Sequence, residues 1–212
     1  NNIWVNHQQR IRLAPLSFAI AAGERLAIVG QSGSGKSTLL QIFLGFCAYQ
    51  GDIFIDNQNF NTINSTQFRH QIAYLSQQTM LLPMSIADNL RLPNPTASDD
   101  KLWQILAQVG LKPLIKALPN QLDTQLGERG SGLSGGQQRR LAIAQLLLQD
   151  AQLWLLDEPT EHLDSETAAE INALLQQVTR GKTVLWVTHD ATNLPWLDRQ
   201  ISLDIASTLA KA

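Results

Sequence analysis

A glycine-rich segment at residues 30–37 constrains this chain more than any other. It has the form G-x-x-x-x-G-K-S, follows the apolar residues 26–29 and precedes a helical-looking run at residues 38–44. A strand, a glycine-rich loop and a helix in this order predict a P-loop, whose backbone N–H groups face nucleotide phosphates. In such a loop Lys36 supplies a positive charge for the β- and γ-phosphates, and Ser37 supplies a hydroxyl ligand for Mg²⁺. The predicted ATP-binding residues are Gly30, Gln31, Ser32, Gly33, Ser34, Gly35, Lys36, Ser37 and Thr38.

A second motif combines a buried strand with two acidic residues. Residues 153–156 are all apolar and are followed by Asp157 and Glu158. A continuous apolar run is typical of a parallel strand that is covered on both faces. The carboxyl end of such a strand lies near the P-loop, where a carboxylate ligand for Mg²⁺ is needed. We therefore predict Asp157 and Ser37 as Mg²⁺ ligands and Glu158 as the residue that reaches the attacking water.

Composition narrows the class of protein. The 212 residues carry a net charge of −2, so no basic face indicates a nucleic-acid partner. A continuous run of about 18 apolar residues, which a membrane span needs, is absent from the sequence. The single cysteine, Cys47, excludes an internal disulfide framework, and we expect it to be a small buried residue rather than a reactive thiol.

The order of hydrophobic patterns predicts an α/β fold: a P-loop NTPase (RecA-like) core with an antiparallel β subdomain and an inserted α-helical subdomain. We assign residues 1–81 and 150–212 to the core with its β subdomain, and residues 82–149 to the helical subdomain. Strands are predicted at residues 2–5, 16–20, 25–29, 51–56, 71–75, 153–156 and 183–187. Helices are predicted after the P-loop and at residues 101–109, 137–148 and 165–178.

A second glycine-containing helix start lies in the predicted helical subdomain. It consists of Leu133, Ser134, Gly135, Gly136 and Gln137. Ser-Gly-Gly at a helix N-terminus forms another anion-binding site. Since one domain does not need two phosphate cradles for one nucleotide, we infer that this site serves the nucleotide of a second domain.

Together with D-E-P-T at residues 157–160 and T-H-D at residues 188–190, these motifs resemble the ATPase domain of ABC transporters. The resemblance implies ATP and Mg²⁺ as ligands and a second cassette as the partner. It implies that Gln77 is the Q-loop glutamine, which approaches Mg²⁺ and the water, and that His189 is the switch histidine at the γ-phosphate. Asp164 matches the D-loop aspartate, although His162 stands where the family has a small residue.

Two segments are similar to the exporter branch of this family. Residues 123–130 resemble the X-loop, which touches the membrane domain, and residues 83–90 resemble the segment after the Q-loop. The resemblance implies a fused or associated transmembrane domain and a place at the cytoplasmic face of the inner membrane. A fused domain would also explain why the chain opens on Asn1 without a Met, and transmembrane helices upstream of Asn1 would settle whether the chain belongs to a transporter.

Shorter segments of the sequence resemble one subfamily of these exporters. Residues 13–18 and 44–52 look like the CydD half of the heterodimeric CydDC exporters, and residues 157–161 look as much like the CydC half. This implies a heterodimer with a CydC-like cassette and export of cysteine, glutathione or haem for cytochrome bd assembly. Three alternatives stay open: a lipid exporter, a multidrug exporter, or a soluble ABC ATPase acting on nucleic acid.

Two regions depart from the family pattern. The position of the residue that stacks on adenine falls near Val5, and the neighbouring Trp4 fits either stacking or packing. The usual Asp-Gly hairpin does not follow Leu203, so we expect the final strands to be altered.

Overall fold

The computed structural model describes residues 2–7 and 10–203, so the expected change in the final strands lies mostly outside the described residues. Two compact units share these residues: residues 2–72, 152–158 and 181–203 form the first, and residues 73–151 and 159–180 form the second. In chain order the elements are β1 (Ile3–His7), β2 (Arg10–Leu16), β3 (Arg25–Val29), α1 (Lys36–Phe43), β4 (Phe54–Ile55), β5 (Gln58–Asn59), α2 (Ser65–His70), β6 (Ile72–Leu75), α3 (Ile86–Arg91), α4 (Asp99–Gln108), α5 (Lys112–Ala117), α6 (Gly135–Gln149), β7 (Leu153–Asp157), α7 (Ser165–Val178), β8 (Thr183–Thr188) and β9 (Arg199–Ser202).

The first unit is built on parallel strands in the order β7, β8, β3, β9. Strands β7, β8 and β3 are almost entirely buried, as their apolar sequences predict. Register pairs Asp157 with Val187 and Val29 with Thr188, so the strands end together at one edge of the sheet. The P-loop and the residues after β7 and β8 therefore leave the sheet at the same edge.

The antiparallel strands of this unit correct two sequence-based predictions. The strand predicted at residues 16–20 is wrong: the strand is Arg10–Leu16, which pairs antiparallel with β1. The strand predicted at residues 51–56 shrinks to Phe54–Ile55, because Asp56 and Asn57 have positive φ values of 48° and 64° and form a two-residue hairpin turn to β5. Cys47 is half-buried rather than buried.

The second unit is mainly helical. Apolar faces of α4, α6 and α7 supply its core, with Leu106, Leu141 and Leu175 fully buried. Each of these helices begins at a side-chain cap, which satisfies backbone N–H groups that have no partner within the helix. The predicted α/β fold with a parallel sheet, an antiparallel β part and a helical part is confirmed. Within the described ranges, every helix is too short or too polar to cross a bilayer.

Candidate functional site

The P-loop connects β3 to α1 and depends on glycine at the position just before α1. Gly35 is the N-cap of α1 with a left-handed φ of 99°, and its helix has no side-chain cap. A Cβ atom at Gly35 would lie 2.5 Å from the carbonyl oxygen of Arg12. Only glycine fits both the conformation and this close approach, and no side chain caps the first N–H groups of α1.

Lys36 lies at the centre of this loop. Its side chain is buried, and Nζ donates hydrogen bonds to the carbonyl oxygens of Gly30 at 2.7 Å and Gln31 at 3.0 Å. The same Nζ lies 3.4 Å from Oε1 of Glu158. The loop geometry thus concentrates one cation where the phosphates of a nucleotide would lie.

Two serine hydroxyls of the P-loop are suited to contact a bound nucleotide–Mg²⁺ complex. Ser34 Oγ is buried and has no hydrogen-bond partner among the described residues. Buried hydroxyls normally have such a partner, so this atom fits a bound ligand. Ser37 is exposed in the first turn of α1, as the predicted Mg²⁺ ligand must be.

The end of β7 supplies the two predicted acidic residues. Asp157 is buried at the last strand position. Glu158 follows with a left-handed φ of 46°, and its N–H donates to the carbonyl oxygen of Val187 at 2.9 Å. A non-glycine residue in this conformation costs about 1 kcal/mol or more, and such strain clusters at functional sites. The turn directs the Glu158 carboxylate to Lys36.

His189 leaves the adjacent strand β8 at the same edge. Thr188 Oγ1 accepts from the N–H of Asp190 at 3.2 Å and donates to its carbonyl oxygen at 2.8 Å, which fixes the turn that carries His189. A ring nitrogen of His189 lies within 4.8 Å of a carboxylate oxygen of Glu158. The pKa of the Asp190 carboxyl is lowered, first by the hydrogen bond from the N–H of Thr192 and also by nearby His189.

The first unit therefore brings Lys36, Glu158 and His189 together beside the P-loop. Hydroxyl and carboxylate oxygens, such as those of Ser37 and Asp157, are the ligands that Mg²⁺ prefers. This set can hold a nucleotide–Mg²⁺ complex and place a general base next to it.

The second glycine-containing segment, residues 133–137, is the signature motif of the family and lies at the start of α6 in the second unit. Ser134 is the N-cap: its Oγ accepts from the N–H of Gln137 at 3.4 Å, and its own N–H donates to Oε1 of Gln137 at 2.9 Å. Ser134 and Gly135 are exposed. A Cβ atom at Gly136 would lie 2.6 Å from Cγ2 of Thr167, so glycine allows α6 to approach α7 closely.

Gln77 and Asp164 also lie in the second unit. The side-chain amide of Gln77 donates to Oε2 of Glu161. Asp164 caps α7 by accepting from the N–H of Thr167 at 2.9 Å, and this bond lowers the pKa of its carboxyl. The D-loop aspartate is thus also a structural helix cap. Its contact with a second cassette and the approach of Gln77 to Mg²⁺ stay predictions.

The structure adds three residues that the sequence analysis did not assign. Arg139 is buried and donates to the carbonyl oxygens of Ser76 and Gln77. Asn89 is fully buried and bonds backbone atoms of residues 82, 84 and 85. Glu161 holds Gln77. For Arg139 and Asn89, the signal in the sequence was a charged or polar residue within the apolar pattern of a helix.

Burial distinguishes the two residues, Trp4 and Val5, that lie near the predicted adenine-stacking position. Val5 is only 5% exposed and belongs to the core, whereas Trp4 is half-buried on the opposite side of β1. The backbone of Trp4 pairs with Gln50. Of these two, only Trp4 carries an aromatic ring, and it is the more exposed of the pair.

Comparisons with known proteins identify the family of this chain. A family model described as "ABC transporter" matches residues 13–161. The glutathione/L-cysteine transport system ATP-binding/permease protein CydC of Escherichia coli (strain K12) is 42% identical over 198 residues, covering 93% of this chain and 34% of that protein. The corresponding CydD of Bacillus subtilis (strain 168) is 36% identical over 192 residues, covering 91% and 33%.

A solved structure gives the same result. A bacterial Atm1-family ABC exporter with ATP bound superposes with a TM-score of 0.88 at 32% identity, covering 96% of this chain and 36% of that one. The chain spans about a third of the length of the curated relatives it matches. The chain therefore belongs to the ABC transporter family, as an ABC-type ATPase domain that binds ATP with Mg²⁺.

Proposed function

We propose that this chain is the nucleotide-binding domain of an ABC exporter, which hydrolyses ATP at the cytoplasmic face of the inner membrane to drive transport. The observation that carries the catalytic part is the placement of the Glu158 carboxylate 3.4 Å from Nζ of Lys36 and within 4.8 Å of a ring nitrogen of His189, at a residue whose own backbone is in the left-handed conformation. A base, a cation and an imidazole at one edge of a parallel sheet fit phosphoryl transfer to water.

The roles of the residues follow from their chemistry. Lys36 exchanges its carbonyl partners for phosphate oxygens, and Ser37 and Asp157 hold Mg²⁺, which neutralises phosphate charge when bound. Glu158 orients or deprotonates the attacking water, because it is the carboxylate next to the phosphate-binding cation. His189 steadies the γ-phosphate from the neighbouring strand end.

Two segments of the second unit support the exporter assignment. The N–H of Leu126 donates to the carbonyl oxygen of Met84 at 3.0 Å, and the N–H of Ile86 donates to that of Thr124 at 3.1 Å. The segment resembling the X-loop and the segment following the Q-loop are thus joined by backbone bonds, and buried Asn89 fixes the second of them. A jointly held pair of loops is suited to contact a membrane domain, fused or associated.

The proposed partner is a second cassette whose signature motif completes the ATP site. The signature residues of this chain, Leu133, Ser134, Gly135, Gly136 and Gln137, would in turn cover the ATP of that partner. Similarity to CydC and CydD proteins, which are described as parts of a glutathione/L-cysteine transport system, supports a cargo of glutathione or cysteine. We further propose a heterodimer with a CydC-like cassette, with haem as another candidate cargo. Either half of such a pair fits the chain, and similarity to proteins described as ATP-dependent lipid A-core flippases keeps lipids as the alternative cargo.

Transport in inverted inner-membrane vesicles tests this proposal. Vesicles that carry the chain with its membrane domain and partner should accumulate labelled glutathione or cysteine only when ATP and Mg²⁺ are supplied outside. Lys36→Ala should abolish this uptake. ATP hydrolysis without uptake of either thiol would contradict the cargo, and unchanged activity of Lys36→Ala would contradict the catalytic assignment.

A further inference from the structure

Two charged residues of the second unit hold Gln77 at opposite ends. Arg139, in α6, donates from Nη1 to the carbonyl oxygen of Ser76 at 2.6 Å and from Nη2 to the carbonyl oxygen of Gln77. Glu161 accepts a hydrogen bond from the side-chain Nε2 of Gln77. The backbone and the amide of this residue are therefore fixed independently.

Arg139 is an unusual residue to find in this place. It is only 4% exposed, and burial lowers the pKa of its guanidinium. Burying a guanidinium is unfavourable unless its N–H groups are hydrogen-bonded, and here backbone carbonyls of the Q-loop accept those bonds. The adjacent Arg140 instead forms a partly exposed ion pair with Glu170 at 2.7 Å. Of these two neighbouring arginines, Arg139 is the one that donates to the backbone of Gln77. The free-energy cost of burying its guanidinium therefore depends on the position of Gln77.

Glu161 determines which end of the Gln77 amide faces it. An ionised carboxylate only accepts hydrogen bonds, so the NH₂ group of Gln77 must face Glu161. The amide oxygen Oε1 then points away from Glu161. An oxygen is the only part of an amide that can bind Mg²⁺ or accept a hydrogen bond from water.

We propose that Glu161 and Arg139 are positioning residues for Gln77: Glu161 selects the amide orientation that offers Oε1 to Mg²⁺ and its water, and Arg139 locks the main chain beneath it. This inference rests on the proposed role of Gln77 at the metal. In this proposal both residues act through Gln77.

The Mg²⁺-dependent gain in ATP affinity tests the role of Glu161. The dissociation constant for ATP is measured on the full 212-residue chain with a chelator and with saturating Mg²⁺. Glu161→Ala should reduce the gain about tenfold, the lower end of the effect of removing an outer-shell partner of a metal ligand. Affinity without Mg²⁺ should stay unchanged. Glu161→Gln should be intermediate, because an amide accepts both orientations of Gln77.

Glu170→Ala is the matched control, since it removes a carboxylate from the same unit that pairs with Arg140. It should keep the full gain. A wild-type gain in Glu161→Ala would overturn the inference alone. A wild-type chain that gains nothing from Mg²⁺ would overturn the proposed nucleotide site, and the inference with it.

Hydrogen exchange tests the role of Arg139 without any ligand. Lysine cannot reproduce the two-pronged donation of a guanidinium to two carbonyls. Arg139→Lys should speed amide exchange at residues 76–80 by about tenfold, as expected for losing one charge-assisted hydrogen bond. Arg140→Lys should leave these amides unchanged. Equal exchange in Arg139→Lys and wild type would overturn the locking role.

Discussion

The chain contains two glycine-rich helix starts, one in each unit, and they are built differently. At α1 the N-cap is Gly35, with φ of 99° and no side-chain cap. At α6 the N-cap is Ser134, which exchanges two hydrogen bonds with Gln137 in a capping box. Both helices start with N–H groups that lack partners within the helix, so the difference lies in what satisfies them.

This difference indicates how each site meets phosphate. The P-loop leaves its N–H groups to a ligand and places the charge of Lys36 beside them. The signature helix satisfies two N–H groups, those of Ser134 and Gln137, through its capping box, although the bond from the N–H of Gln137 to Ser134 Oγ is long at 3.4 Å. We therefore expect the chain to bind nucleotide through the P-loop unaided, whereas the signature hydroxyl acts only when a partner's nucleotide competes for it.

The largest effect should come from Lys36→Ala. It removes the cation of the open helix start while leaving the signature helix intact. We expect ATP–Mg²⁺ affinity or turnover to fall at least about a hundredfold, the scale of losing one preorganised charge-stabilising donor. Calorimetric titration of ATP–Mg²⁺ measures the binding part. Normal turnover of the variant assembled with its partner would contradict the assignment.

The next largest effect should come from replacing a glycine of the P-loop helix start by alanine, with a glycine of the signature helix as the comparison. Gly35→Ala forces a Cβ to within 2.5 Å of a backbone oxygen at positive φ, so we expect a loss of about 1–3 kcal/mol in stability together with loss of ATP binding. Gly136→Ala meets only the methyl group of Thr167, a side chain that can shift. Thermal unfolding should show the smaller loss for Gly136→Ala; the reverse order would contradict the comparison.

Ser134 separates capping from phosphate recognition. Ser134→Ala removes the cap and should cost about 1 kcal/mol of stability, whereas Ser134→Asn should retain the cap. Neither variant should change ATP binding to the chain alone. Both should slow turnover of the paired cassettes, because neither offers a hydroxyl. Restoration of turnover by Asn would mean that Ser134 serves only as a cap.

The smallest effect concerns a third helix start, at α7. The pKa of the Asp164 carboxyl lies below its ordinary value of 3.8, because the N–H of Thr167 donates to it. A lowered pKa means that the charged cap stabilises the fold above about pH 4, and that this contribution is lost as the pH falls through the folded pKa. Asp164→Asn retains a cap without the charge. Its difference from wild type in thermal stability should therefore shrink as the pH falls through the folded pKa of Asp164, and a difference that stays constant from neutral pH into acid would contradict this origin.

Sequence patterns predicted the elements whose signals are local. The P-loop strand Arg25–Val29 and the amphipathic helix Ser165–Val178 were predicted with their observed bounds, because apolar periodicity and capping residues mark them. The strand predicted at residues 16–20 failed for a non-local reason. Residues 17–20 alternate between exposed and half-buried, yet within the described ranges they pair with no strand.

The candidate site likewise combines residues that local sequence patterns reveal with contacts that they do not reveal. Glycines, Lys36 and Asp157–Glu158 are recognisable because their spacing along the chain carries the chemistry. The bonds from Arg139 and Glu161 to Gln77 join residues 62 and 84 positions apart, so no window of sequence reveals them. The positive φ of Glu158 is equally hidden, since its cause is a backbone bond to Val187 in the neighbouring strand.

Glu158→Gln tests the central claim, that the carboxylate beside Lys36 activates the attacking water. The substitution keeps the size and hydrogen bonding of the side chain and removes the base. The variant is mixed with its partner, whose own site is silenced, and with excess ATP–Mg²⁺; phosphate release and the dimer fraction are then measured. We expect ATP to stay bound, phosphate release to fall at least about a hundredfold, and a closed dimer to accumulate. Phosphate release at the wild-type rate would remove Glu158 from the mechanism.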